Sequence, residues 1–204
     1  MQEPARQLQR NHAATAPPLQ QRVSGAILDA AARVLAAQGR EASIAEIAAA
    51  AGVARATVYR YFPSRQALVD DLARLAVARA GERLESARVH HVGAAEGVAR
   101  AVRALLDVGD LFLVVARERL RPDAESYDRF LLAPLRQLVT SGQTAGELRA
   151  DIPPSWLSES LIGLVVAVLS ARPAHGREDT AASIASLFLD GARARRPRVS
   201  ARDR

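Results

Sequence analysis

The sequence predicts an all-α fold, and three observations carry that prediction. Alanine and leucine are abundant, while aromatic residues make up only 4% of the 204 residues, a composition that favours helices over strands. Apolar residues recur at helical spacing along most of the chain, and no alternating pattern is long enough for a sheet. Glycine and proline interrupt these stretches where helices should stop. With 49% apolar residues the chain can bury a core.

Residues 1–20, with Pro4, Pro17 and Pro18, show no sustained amphipathic period and are expected to form a disordered arm. The first helix runs from about Val23 to Gln38, placing Ile27, Ala31, Val34 and Leu35 on one face, and Gly39 ends it. Ser43 and Glu46 form a capping box, so a second helix starts at Ile44; it ends near Ala51 because Gly52 can turn left-handed. A third helix spans about Ala54 to Tyr61, and Pro63 stops it. Ser64 caps a long fourth helix reaching towards Arg88. Ile44, Ile47, Ala48, Val53 and Val58 make the buried face that locks the second and third helices together.

Two short helices joined at a glycine on a basic segment outline a helix-turn-helix. The discriminating feature is what the third helix leaves outside. Arg55, Thr57, Tyr59, Arg60 and Tyr61 crowd two turns, Arg65 follows, and no acid lies between Ala54 and Arg65. A helix needing only solubility would mix both signs, so this face points to a polyanion. Charge distribution agrees: residues 1–65 carry eight arginines against four acids, 66–192 fourteen against seventeen, and 193–204 six against one. Double-stranded DNA is the expected partner.

Other chemistries find little support. There is no cysteine, hence no disulfide or thiolate site. His90 and His91 are adjacent, which on a helix separates them by about 100° and makes a poor ligand pair; no metal and no cofactor are expected. No phosphate loop, nucleophile elbow or paired-carboxylate pattern stands out, so the chain does not read as an enzyme. The N-terminus lacks the apolar core of a signal peptide, and the longest apolar run, Leu161 to Leu169, is far short of a membrane span. A cytoplasmic protein without a membrane partner is the resulting expectation. The arginine-rich tail, 192–204, expected to be disordered, leaves a nonspecific architectural DNA binder as the alternative function.

The segment Ile44 to Leu68, IAEIAAAAGVARATVYRYFPSRQAL, resembles the DNA-binding signature of TetR-type transcriptional regulators. The Ala-Gly-Val, Thr-Val-Tyr and Tyr-Phe-Pro-Ser elements carry the likeness, which covers roughly residues 22–70. Gly146 to Asp151 is similar to a phrase common before the penultimate helix of that family. The resemblance implies three helices in a DNA-binding domain, residues 21–67, and about six in an effector-binding and dimerisation domain, residues 68–191. It places Arg55 and Ala56 at base edges, and Ser43, Thr57, Tyr59, Tyr61 and Arg65 at phosphates. Of the two tyrosines, Tyr59 is favoured, since Tyr61 can turn partly into the domain core. Arg40 departs from the common pattern, as does Ala54, where a serine cap is frequent.

Beyond Gly93 the helices carry apolar stripes. A cavity among them would suit an apolar or amphipathic small-molecule effector, with Phe112, Val115, Arg117, Glu118, Tyr127 and Trp156 as lining candidates. Trp156 to Ser170 is apolar around most of its circumference, and a later helix from about Asp179 to Leu189 presents Ile184, Leu187 and Phe188. Leu161, Val165, Val168 and Leu169 with those three are the expected homodimer interface, a four-helix contact around a twofold axis. The resemblance further implies a repressor released from a palindromic operator by its effector.

Overall fold

The computed structural model describes residues 19–171 and 175–194. The expected N-terminal arm and the basic tail therefore lie almost wholly outside the described residues. Within them the chain forms nine helices: α1 (Leu19–Gln38), α2 (Ile44–Ala51), α3 (Arg55–Tyr61), α4 (Arg65–Ser86), α5 (Ala94–Leu106), α6 (Gly109–Arg117), α7 (124–144), α8 (Pro154–Ser170) and α9 (Arg177–Ala192). The first begins four residues before the expected Val23, and the last extends beyond the expected 179–189 at both ends. A lone antiparallel bridge, Leu148 to Arg193, is the extended pairing among the described residues.

The helix-turn-helix closes for the reasons its sequence suggests. Ser43 Oγ accepts from the Glu46 amide at 3.2 Å, while Glu46 Oε2 accepts from the Ser43 amide at 2.8 Å. Gly52 sits at φ 66°, a conformation that lets the chain leave α2 sharply. Ile47, Ala48, Val58 and Phe62 are buried against Ile27, Ala31 and Leu35 of α1 and Leu68 and Leu72 of α4. Ile44 and Val53, expected at full burial, are only half-buried at the edge of this cluster.

α4 joins the N-terminal trio to the rest. Its buried stripe, Leu68, Leu72, Ala76, Ala80 and Leu84, runs one side of the helix from end to end, so the two parts share one continuous core. α6 lies across both α1 and α4. α5 and α7 meet closely at Gly97, where an added Cβ would fall 2.5 Å from the Val89 carbonyl and against the Leu138 side chain. α7 is not uniform: Asp128–Leu132 forms one π turn between α-helical halves.

The Gly146 to Asp151 phrase has a structural task. Gly146, at φ 71°, reverses the chain after α7. Glu147 then reaches back so that its Oε2 accepts from the Ala94 amide at 2.7 Å, capping α5, whose own Gly93 offers no side chain. The Arg149 amide donates to Ala192 O at 2.8 Å, and the Ala194 amide to Glu147 O at 3.1 Å, tying the same turn to the end of α9.

Candidate nucleic-acid interface

α3 is short because both ends are set locally. The Ala54 N-cap supplies no side-chain bond, and Phe62 leaves helical geometry in front of Pro63. Val58 is fully buried and anchors the helix, which turns Arg55, Ala56, Tyr59 and Arg60 outward. Tyr59 is 40% exposed, large for an aromatic ring on a folded domain. Its hydroxyl accepts from Arg55 Nη2 at 3.3 Å, and the Arg55 guanidinium lies 5.4 Å from its ring centroid. One turn of helix therefore holds Arg55 extended along the outer face.

The remaining phosphate candidates differ in their freedom. Tyr61 is half-buried and packed on the core, with Arg60 stacked 5.3 Å from its ring. Thr57 is also half-buried. Ser43 remains exposed, but its hydroxyl is engaged in the capping box, donating to Glu46 Oε2 at 2.7 Å. The Ser43 amide, then that hydroxyl, hold the Glu46 carboxyl below its ordinary pKa.

Arg65 does something that its motif does not announce. Its Nη1 and Nη2 donate to Glu118 Oε2 and Oε1 at 2.9 and 3.0 Å, a two-pronged pair between the first residue of α4 and the residue that ends α6. The Glu118 side chain is 5% exposed, against 34% for Arg65. The hydrogen bonds from Arg65 hold the Glu118 carboxyl below the usual glutamate range despite burial, which acts the other way. Arg40 Nε approaches the same carboxylate at 3.9 Å. Beside it, Arg117 Nη1 donates to the Ala36 carbonyl at the end of α1. The end of α6 thus grips both α1 and the start of α4.

The residues expected to line an effector chamber take separate places in the fold. Arg117 and Glu118 are committed to the junction with α1 and α4, and Trp156 stands 69% exposed at the start of α8, so these three do not share a chamber. Phe112 is a core residue, and Tyr127 Oη donates to Glu159 Oε2 at 3.4 Å. Burial, with Glu159 nearby, pushes the Tyr127 phenol up to about 12.

The expected interface residues divide as well. Leu161, Val165, Ile184 and Phe188 are 0–7% exposed within the single chain and pack its own core, so they have almost no area to give a partner. Their helices are amphipathic about a core that periodicity alone could not orient. Leu169 packs towards Gly109 and, like Val168, is half-buried. Leu187 is the open one, at 62% exposure, on a face shared with Ser183, Ser186 and Asp190. On α8 the small residues Ser160, Gly163 and Ala167 are among the exposed positions. Among the described residues no metal-holding cluster occurs, and no helix is long and apolar enough to cross a membrane.

Comparison with known proteins agrees with this arrangement. Residues 27–72 match the family model for bacterial regulatory proteins of the tetR family. The chain is 35% identical over 137 residues to the HTH-type transcriptional repressor LfrR of Mycolicibacterium smegmatis, covering 67% of this chain and 71% of that protein. A crystal structure of the TetR-like regulator LfrR from Mycobacterium smegmatis in complex with proflavine superposes with a TM-score of 0.71 at 28% identity, covering 85% and 98% of the two chains. A tetR-family regulatory protein from Rhodococcus RHA1 shares the fold at a TM-score of 0.69 and 19% identity, over 85% and 98%. With its three-helix N-terminal unit continued into a helical body, the chain belongs to the tetR family of bacterial regulatory proteins and is a DNA-binding transcriptional regulator.

Proposed function

We propose that this chain acts as a homodimer that represses transcription from a palindromic operator and releases it when a small apolar or amphipathic effector binds among α4 and the helices after it. The observation that carries the DNA reading is the outer face of α3, where Arg55 is held extended by Tyr59 and no acid competes for it. An arginine so placed can donate two hydrogen bonds to one guanine, worth roughly 1–3 kcal/mol of discrimination. Arg55 and Ala56 read bases in this account; Ser43, Thr57, Tyr59, Tyr61 and Arg65 position the helix on phosphates. A single seven-residue helix reads few bases, so two copies on half-sites about 34–36 Å apart are required. The exposed Leu187 of α9, with small exposed residues on α8, supports a twofold contact made by these helices.

Release by an effector is supported by the relative whose structure contains proflavine. Two clefts differ in suitability. The larger, about 1070 Å³, is rimmed by charged side chains including Asp29, Arg33, Arg79 and Asp110. The other, about 600 Å³, lies between α4 and α7 and combines Ala78, Gly81, Phe130 and Pro134 with His90 and Gln137 and with the charged Glu82, Glu85 and Arg129, a mixture that suits an amphipathic molecule. It borders the π turn, and an added Cβ at Gly81 would stand 3.0 Å from that of Phe130, so a ligand wedged there would bear on α4. The test is selection from a random duplex pool at about 150 mM salt: one palindrome is expected, whereas a nonspecific binder would enrich nothing.

A further inference from the structure

The pairing of Arg65 with Glu118 closes one side of a cleft of about 510 Å³ that no base-reading residue enters. Its walls are Arg40, from the turn before α2, Arg65 and Asp70 from α4, and Glu118, Arg119 and Arg121 from the segment leaving α6. Four guanidinium groups face two carboxylates. Glu118 is consumed by Arg65 and, at longer range, Arg40, and Asp70 accepts from Gln66 Nε2 at 2.8 Å. Arg119 and Arg121 are exposed and have no carboxylate partner among the described residues. Arg119 sits at φ 55°, so the chain leaves α6 in a sharp reversal that brings both arginines to the same cleft as Arg65.

The position of the cleft identifies its partner. Seven residues of α3 span roughly 10 Å at the helical rise, close to the roughly 12 Å width of a major groove. With α3 seated in that groove, the chain just beyond its end must cross the wall of phosphates, and Arg65 follows Tyr61 by four positions. We propose that the DNA contact continues past Arg65 onto Arg119 and Arg121 of the effector-binding domain, which hold the phosphodiester backbone flanking each half-site. The inference rests on the helix-turn-helix reading above and extends it across the domain junction. Glu118 is the positioning residue of this patch: it brings Arg65 to the same cleft wall as the two free arginines and leaves them unneutralised.

Contacts to phosphate carry no sequence information but release counterions, so they appear in the salt dependence. The full-length protein and its Arg119→Gln/Arg121→Gln variant would be titrated against the selected palindrome and a random duplex across salt concentrations. Two phosphates per protomer, in a dimer, correspond to a slope of log K against log salt that is shallower by about two to four. Affinity for both duplexes should fall roughly tenfold or more at low salt, with the preference between them unchanged. The Arg119→Lys/Arg121→Lys variant should restore the slope. Equal slopes and affinities for wild type and the glutamine variant would overturn the proposal, as would a lysine variant that behaves like the glutamine one. A wild type that prefers no duplex at all would instead fault the helix-turn-helix reading.

Discussion

Arg65 and Glu118, fifty-three residues apart, meet through both guanidinium nitrogens and both carboxylate oxygens. One belongs to the start of the helix that follows α3, the other to the end of α6 in the C-terminal body. Glu118 is buried and Arg65 one-third exposed, so removing either partner strands a charge in unequal ways. Glu118→Ala frees an arginine that water can reach and should cost about 1 kcal/mol. Arg65→Ala leaves the buried carboxylate with distant Arg40 alone and should cost more, about 2–3 kcal/mol. Urea denaturation of both variants and the double variant checks the order; a double variant whose loss of stability equals or exceeds the sum of the two single losses would contradict a direct pair.

The same pair sets a pH dependence. Arg65 lowers the Glu118 pKa in the folded state, so the unfolded chain takes up this proton at higher pH than the folded one. The stabilisation is complete above the unfolded glutamate value, roughly 4.3, and is lost as pH falls from there through the depressed folded value. Stability against urea measured from pH 7 down to pH 3 should therefore fall less in Glu118→Gln than in wild type.

Ala54 leaves the recognition helix without a side-chain cap. Its extended backbone, φ −70° and ψ 147°, already has the geometry a capping serine uses. Ala54→Ser should stabilise the fold by about 0.5–1 kcal/mol, read as a raised melting temperature. A lowered one would show that the helix start has different constraints.

Gly97 is a packing glycine. Any side chain there meets the Val89 carbonyl and Leu138, and the carbonyl belongs to backbone that cannot swing aside. Gly97→Ala should cost about 1–3 kcal/mol by thermal or chemical denaturation, without a change in DNA base preference.

Leu187 tests the dimer. A charge at this 62%-exposed position leaves the core of one chain untouched. Leu187→Glu should therefore yield a folded monomer by light scattering after size exclusion, with DNA affinity lowered by orders of magnitude. A dimeric Leu187→Glu protein would place the twofold contact elsewhere.

Much of the DNA-binding unit was legible in the sequence because its signals are local: Ser43 and Glu46 three apart, Gly52 after α2, Pro63 after α3. Long-range relationships were not. Nothing near Glu118 marks Arg65 as its partner, and Glu147 capping α5 joins residues that only the folded chain brings together. The apolar stripes correctly announced α8 and α9 but not which side faces inward, because both helices carry apolar residues on more than one face. Leu161 and Ile184 thus read as interface and fold as core. The π turn in α7 breaks no residue pattern, since Asp128 to Leu132 contains neither glycine nor proline.

The central claim is that Arg55 reads a base while the surrounding groups only position it. Its most direct test compares wild type with Arg55→Ala on the selected palindrome and on variants changed at each base pair in turn. The account predicts that the alanine variant loses about 1–3 kcal/mol of discrimination at one symmetric pair of positions and keeps its preferences elsewhere. A uniform loss of affinity, with every base preference intact, would make Arg55 another phosphate anchor and contradict the account.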